Sequence, residues 1–169
     1  MIARLLLLLT CASLMMAQAQ SKNPWASWAP FLGKWSATGT GAPGQGAGEI
    51  TFQPELQGAV LARHSYAQYP ATKDKPAYRH DDLMVIYPGP GGSTAANYWD
   101  NEGHFIRYDV ELNDNKLVFT SAADQPGPRF RLSYVKTGAD ALKMTFEIAP
   151  PNDREHFQPY IEASAERKP

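Results

Sequence analysis

Hydrophobic and polar residues alternate along most of the chain, as they do in β-strands with one buried face. The segment at residues 104–112 shows this clearly, with Ile106 and Val110 on one face and Arg107 and Asp109 on the other. Clusters rich in Gly, Pro, Asn and Asp separate such segments at short intervals. The pattern predicts ten strands, at residues 33–41, 49–53, 59–68, 83–87, 94–99, 104–112, 116–121, 129–136, 142–148 and 159–167.

Hairpin-sized connections join most of these strands, so strands adjacent in sequence are expected to pair. Closing such a meander removes the exposed sheet edges. We therefore predict an all-β fold: a single up-and-down antiparallel β-barrel of about ten strands. Helical spacing of Trp25, Trp28, Phe31 and Leu32 adds a short N-terminal capping helix. These tryptophans and Trp35 are expected to plug one end, the alternative being a surface contact for a partner or lipid.

The N-terminal residues have the composition of a secretory signal peptide. A mainly apolar core at residues 5–17 leads to an Ala-Gln-Ala triplet, which predicts cleavage after Ala19. This core is shorter than the roughly 20 residues of a membrane-spanning helix. Acylation of Cys11 is the competing interpretation, but the residue before it is not the small Gly or Ala used in lipoproteins. We predict a signal peptide at 1–19 and a barrel domain at 20–169, exported to the periplasm or extracellular space.

Cleavage removes the chain's one cysteine, so the mature domain would have no disulfide, thiolate nucleophile or cysteine-based metal site. The chain carries 16 basic and 17 acidic residues and no long run of Lys or Arg. This balance argues against nucleic acid and anionic membrane surfaces as partners. We expect one domain with one core, monomeric and without stable membrane insertion.

The sharpest motif is the opening of the first strand, Leu32-Gly33-Lys34-Trp35 followed by Gly39-Thr40-Gly41. Together with the meander, this start resembles the lipocalin-like barrels, and within them the nitrobindin-type barrels and secreted bacterial domains of unknown function. The resemblance covers the layout of the mature chain. It implies a barrel of the lipocalin and fatty-acid-binding-protein kind, and it implies fold more than function.

The same resemblance raises haem as a possible cofactor. Nitrobindin-like proteins bind haem through a histidine on their last strand, and the matching stretch here is Tyr160-Ile161-Glu162-Ala163. The ligand position therefore holds Tyr160, while His156 lies in the preceding loop. Tyrosine ligates haem iron in some proteins. A haem-binding barrel is the first alternative function, although no cofactor is part of the leading prediction.

Several polar aromatic side chains share the alternation of apolar neighbours. A barrel interior lined in this way would suit a small, mainly hydrophobic molecule with one polar end. Ten strands leave more room inside than eight or so, and the alternative is a filled core of hydrogen-bonded tyrosines. We predict a binding protein with no catalytic or metal-ligating residue. The expected lining residues are His64, Tyr66, Tyr98, His104, Tyr108 and Tyr134, with Tyr160 near the mouth.

An enzyme is the second alternative. The polar connection predicted at residues 69–82 ends in the densest ionisable cluster, Tyr78-Arg79-His80-Asp81-Asp82, which could serve as a metal or acid–base site. Adjacent strand residues point to opposite faces, which favours a solvated loop end instead. A general base at the barrel mouth would be His80 or His104. The sequence has neither a Gly-x-Ser-x-Gly elbow nor a phosphate-binding loop.

Overall fold

The computed structural model describes residues 23–169, and the predicted signal peptide lies outside the described residues. In this part, ten antiparallel strands pair in sequence order and close into one barrel, as predicted. They are β1 (Gly33–Gly41), β2 (Gly46–Glu55), β3 (Val60–Tyr69), β4 (Tyr78–Pro88), β5 (Thr94–Asp100), β6 (Phe105–Asn113), β7 (Lys116–Ser121), β8 (Arg129–Lys136), β9 (Ala141–Ala149) and β10 (Gln158–Arg167).

The helical elements are three-residue 3-10 turns, at Ala26–Trp28, Leu56–Gly58 and Pro90–Gly92. The first is the capping element that the tryptophan spacing predicts. Among residues 23–169, no helix has the length and apolar character needed to cross a bilayer.

Pairing of the first strand with the last closes the sheet. Ala37 of β1 lies opposite Gly48 of β2 on one side and opposite Ala165 of β10 on the other. Every strand of the described barrel therefore has two hydrogen-bonded neighbours, and these strands leave no long sheet edge for pairing with another chain.

Aromatic residues plug one end of the barrel, which we call the closed end. Trp25 and Trp28 are only 2% and 3% exposed, and Trp35 is fully buried. Trp25 and Trp28 pack edge to face, and the Trp35 indole N–H donates a hydrogen bond to the Phe31 carbonyl at 2.9 Å. The plug interpretation is therefore confirmed, and Trp25 and Trp28 do not form a surface patch.

Arg167, near the end of the last strand, fastens this plug to the barrel. Its guanidinium lies 4.1 Å from the centre of the Trp35 ring. It donates hydrogen bonds to the carbonyls of Leu32 at 2.5 Å and Pro30 at 3.0 Å. One cationic side chain thus joins both ends of the described chain through cation–π and hydrogen-bond contacts.

The half of the lumen next to the closed end is filled with side chains. Phe52, Leu61, Ile86 and Phe119 are fully buried there. Phe119 packs against Trp28 on one side and meets Tyr134 edge to face on the other. We call this region the closed half, and it is an ordinary apolar core of buried side chains.

The boundaries of β4 differ from the sequence-based prediction. The polar stretch predicted as the end of a connection is the first part of the strand, which begins at Tyr78 instead of residue 83. Tyr78 pairs with Tyr69 and Asp82 pairs with Ser65 across the sheet. Backbone pairing with β3 overrides the weak strand propensity of these charged residues, so the connection shortens to residues 70–77.

Candidate functional site at the open end

A buried arginine lies in the middle of the lumen and marks the boundary of the closed half. The side chain of Arg63, on β3, is directed inward, and the residue is 5% exposed. Its Nε donates a hydrogen bond of 2.6 Å to the hydroxyl of Tyr134 on β8, and Nη1 bonds the Asp82 carboxylate on β4. Because β3 and β8 are not neighbours, the Arg63–Tyr134 bond spans the lumen and forms the floor of the remaining half.

The Arg63–Asp82 pair is shielded from water, which disfavours both charges. Burial raises the pKa of Asp82, and the adjacent Arg63 guanidinium offsets part of that rise. Burial also opposes the charge of Arg63, but attraction to Asp82 and the bond with Tyr134 raise the pKa of Arg63 above its ordinary value. Each group is the counter-charge of the other, so the pair contributes no net charge to the lumen.

His80 connects this buried pair to the rim of the barrel. It lies two residues before Asp82 on β4, so both side chains face inward. Its Nε2 lies 3.1 Å from the Tyr98 hydroxyl and 3.8 Å from Asp82 Oδ2, and its Nδ1 lies 2.9 Å from Glu102 Oε1. The imidazole thus lies between the buried carboxylate of Asp82 and the exposed carboxylate of Glu102.

Tyr98 and Asp100 of β5 extend the same polar surface. Burial raises the pKa of Tyr98, and the nearby carboxylates of Asp82 and Asp100 add to this, so its phenol stays neutral. That phenol donates a hydrogen bond to Asp100 Oδ2 at 3.2 Å. Burial opposes ionisation of Asp100, but hydrogen bonds from the backbone and ring of His104 and the backbone of Glu102 lower its pKa overall.

The side chains of Arg63, His80, Asp82, Tyr98 and Asp100 together form what we call the polar wall. Strands β3, β4 and β5 supply it, and cross-strand pairing brings Asp82 directly opposite Asp100. Alternation then places each member on the inner face.

Strands on the other side of the lumen provide an apolar wall. It consists of the partly exposed inward side chains Phe130, Met144, Phe146 and Ile161. Phe130 and Phe146 stack with their ring centres 5.9 Å apart. Apolar side chains that line a lumen without being fully covered are the usual surface of a small-molecule site. The region above the Arg63–Tyr134 floor, between the two walls, is called the open half.

The strands beside Arg63 carry small side chains on their inner faces, which leaves a cavity of about 60 Å³ there. A Cβ added to Gly46 would come within 2.7 Å of the Tyr69 ring, and one on Gly48 would come within 1.8 Å of the Tyr66 carbonyl oxygen. Glycine is required at position 48, where the backbone of β3 approaches this closely, whereas a Cβ at position 46 would displace the Tyr69 ring. Tyr69 in turn stacks on Tyr78 at a centroid distance of 4.6 Å, so paired aromatic rings stand at the rim.

The structure distributes the predicted lining residues over four environments. Tyr98 lies on the polar wall, and Tyr108 and Tyr134 are buried in the interior. His104 is at the rim with its Nδ1 2.7 Å from Asp100 Oδ2, and Tyr160, 38% exposed, packs edge to face on Phe146. His64 and Tyr66, however, lie on the outer face.

The outward position of His64 and Tyr66 corrects the predicted alternation of β3. The apolar neighbours Val60 and Ala62 suggested that the even-numbered residues face inward. The register instead pairs Leu61 with Ile86 and Arg63 with Met84, all of them buried. Arg63 obscures the fact that the odd-numbered residues of β3 face inward, because arginine ordinarily lies on the solvent-facing side of a strand.

Sequence reasoning missed Arg63, Phe130, Phe146 and Met144 as components of the site. The inward position of Arg63 follows from its pairing with Met84, next to the pairing of Leu61 with Ile86. That register is defined only once β3 and β4 are paired, so the sequence alone does not show it. His80 and Asp82 were found as a cluster, and their separation of two residues is what directs both inward.

Tyr160, which holds the position of the haem-ligating histidine in the resemblance, stands at the rim, 38% exposed and packed against Phe146. It does not line the cavity of about 60 Å³ beside Ile161 and Met144. Among residues 23–169, no group of three or more His, Cys, Asp or Glu side chains is arranged to hold a metal ion.

Comparisons with known proteins bear on the fold. No protein-family model matches the chain, and no curated protein matches it. Rv2717c from M. tuberculosis is similar in structure, with 14% identity and a TM-score of 0.58, covering 86% of this chain and 98% of that chain. This likeness shows a shared fold.

Two further structures resemble the chain more weakly. A de novo designed fluorescence-activating β-barrel has 11% identity and a TM-score of 0.43, with 83% of this chain and 95% of that chain covered. A protein of unknown function from the DUF3598 family of Nostoc punctiforme PCC 73102 has 8% identity and a TM-score of 0.30, with 88% and 100% covered.

Proposed function

We propose that this protein is an exported binding protein that holds a small, mainly apolar molecule with an uncharged polar end in the open half of its barrel. The observation that carries the proposal is the division of one lumen into a packed half and a lined, partly exposed half. Phe52, Leu61 and Phe119 are fully buried, whereas Phe130 and Phe146 at the other end keep exposed surface. Covering exposed aromatic surface with an apolar ligand removes that surface from water, which favours binding.

The chemistry of the polar wall supports an uncharged polar end. Arg63 and Asp82 neutralise each other, so the floor supplies no unpaired charge to attract an ion. A ligand carboxylate would have to compete with Asp82 for the guanidinium. A ligand ammonium would have to compete with Arg63 for Asp82, or with the hydrogen bonds from Tyr98, Glu102 and His104 that already occupy Asp100. A hydroxyl or carbonyl can instead bond to His80 or Tyr98 without disturbing that pair.

Room for the ligand comes from the rim. The 60 Å³ cavity holds little more than water, so binding requires the stacked Tyr69 and Tyr78 rings to swing outward. The exposed loop at residues 70–77 joins these two tyrosines and packs few side chains, which makes it the natural place for such movement.

The proposal is tested with two fluorescent probes and a matched pair of variants. Nile red is neutral and apolar with a carbonyl, and 1-anilinonaphthalene-8-sulfonate is an anion of similar bulk. We expect saturable binding of Nile red, weakened about tenfold by Phe146→Ala and unchanged by Phe105→Ala, since Phe105 is an outward phenylalanine with 51% exposure. Equal effects of the two variants, or preference for the anion, would overturn the proposal.

A second candidate function is acid–base catalysis at the same mouth. The contacts of His80 with Glu102 at 2.9 Å and with the Tyr98 hydroxyl at 3.1 Å favour it, because a general base needs an orienting partner within hydrogen-bond distance. Incubating the protein with a small-molecule extract of its host and following masses that appear would test it. New products formed by the wild type but not by His80→Gln would support an enzyme, and an unchanged extract would count against one.

A further inference from the structure

A wide concavity lies on the outer surface of the barrel, away from the lumen. It has a volume of about 460 Å³, within the range of roughly 300–1,000 Å³ that small-molecule sites occupy. Strands β2 to β5 form it, and we call it the outer groove. The outward side chains that line it are Glu49, Thr51, His64, Tyr66, Arg79, Asp81, Leu83 and Trp99.

Cross-strand pairing arranges these side chains in rows. Thr51 lies opposite His64, His64 opposite Leu83, and Leu83 opposite Trp99. Trp99 continues the row to Phe105, with the two ring centres 5.3 Å apart and the planes tilted by 40°. Trp99 is 41% exposed, so an indole surface is open to solvent at the end of the groove.

The second row is polar and already ordered. The Arg79 guanidinium lies 3.9 Å from the centre of the Tyr66 ring, and its Nε donates to both carboxylate oxygens of Asp81 at 2.9 Å. Glu49, opposite Tyr66 on β2, forms an ion pair with Lys168. Glu49 and Asp81 thus each have a cationic partner, that of Glu49 lying outside the groove lining, and the row offers donors and acceptors.

This combination defines the chemistry of the occupant. An exposed indole attracts polarised C–H groups through the negative face of its ring, and it favours flat ligands. Paired carboxylates and a stacked guanidinium hydrogen-bond hydroxyl groups but hold no surplus charge for a phosphate or an ammonium group. A wide, solvent-exposed groove also suits a ligand that stays partly hydrated.

We infer that the outer groove is a saccharide-binding site, in which a pyranose ring with equatorial hydroxyls stacks on Trp99 and bonds to Asp81, Arg79 and His64. Such rings have flat faces of C–H groups and an edge of hydroxyls, which match the aromatic end and the polar row. The site is independent of the lumen, because its side chains point away from the barrel axis.

The test is titration of the ¹⁵N-labelled protein with cellotetraose and with tetra-N-acetylchitotetraose, followed by NMR. We expect the Trp99 indole N–H and the backbone amides of Asp81 and His64 to shift with at least one of them. Trp99→Ala should weaken binding about tenfold, the loss of one aromatic contact. Leu56→Ala removes an exposed hydrophobic residue (74%) at the closed end, and should leave binding unchanged.

Two results would overturn the inference. One is that neither oligosaccharide shifts the groove resonances at millimolar concentration. The other is that Trp99→Ala binds as the wild type does while Phe146→Ala loses binding, which would place the sugar in the lumen. Thermal unfolding of each variant shows whether its fold is intact, and His64→Ala gives a second groove variant should Trp99→Ala be unstable.

Discussion

The two halves of the barrel lumen are built from the same strands but differ in how completely side chains fill them. In the closed half, apolar side chains fill the space completely, and Trp35 and Phe31 seal the end. In the open half, a buried ion pair forms the floor, and partly exposed aromatic rings face a polar wall. The closed half provides stability, whereas the open half leaves apolar side chains incompletely packed. That difference is the main support for the open half as the proposed ligand site.

The largest effect on stability is expected in the closed half. Trp35→Ala removes a fully buried ring together with its contacts to Arg167 and to the Phe31 carbonyl. We expect a loss of about 3–5 kcal/mol in the free energy of unfolding. Urea denaturation measures it, and a loss below about 1 kcal/mol would mean that the plug is not part of the cooperative core.

Breaking the floor should cost somewhat less. Asp82→Asn leaves the Arg63 charge buried with a neutral amide, and we expect about 3 kcal/mol of destabilisation, at the lower end of the range for such pairs. The double variant Arg63→Met with Asp82→Leu should recover most of this, because it removes both charges. If the double variant were as unstable as the single one, packing instead of charge would explain the effect.

High pH should loosen both the floor and the rim of the open half. Burial raises the pKa of Tyr134 to about 12 and likewise that of Tyr69 to about 12. Because the folded state holds these protons more tightly than the unfolded state, their contribution is complete below pH 10 and is lost as the pH rises through 12. We expect a loss of roughly 2 kcal/mol for each at pH 12.

The measurement is urea unfolding at pH 9 and at pH 11.5, combined with titration of phenolate absorbance. Tyr134→Phe should show a shallower decline in stability than the wild type over this interval. An identical decline would show that Tyr134 does not titrate late.

The apolar wall should contribute least. Phe146 keeps part of its ring exposed, so Phe146→Ala is expected to cost about 1–2 kcal/mol, below the value for a fully buried phenylalanine. Phe105→Ala on the outer face should change stability by less than about 0.5 kcal/mol. Equal costs for Phe146 and Trp35 would contradict the division into a packed and an open half.

The barrel could be predicted from the sequence because its causes are local. Alternation along β6 and turn residues such as those at 100–103 specify strands and hairpins one at a time, and short links leave few alternative topologies. The plug followed from the helical spacing of Trp25 and Trp28.

The candidate site could be predicted only in part, because it depends on register. Tyr98 is predicted as a lining residue, but His80 and Asp82 are predicted mainly as a solvated loop end, with a site at the mouth as the alternative. The inward face of β3 is misassigned. A strand with Ala62 on one face and Arg63 on the other has no decisive alternation, and a slip of one residue exchanges its faces. The Arg63–Tyr134 bond, which spans 71 residues of sequence, has no local signal at all.

The measurement that tests the central claim most directly is native mass spectrometry of the protein purified from its own host. It would be followed by denaturation and identification of any released molecule. We predict one uncharged, mainly apolar molecule per chain, lost from Phe146→Ala and retained by Phe105→Ala. A wild-type protein that is well folded and empty, and that also fails to bind Nile red, would contradict the assignment of the open half as a ligand site.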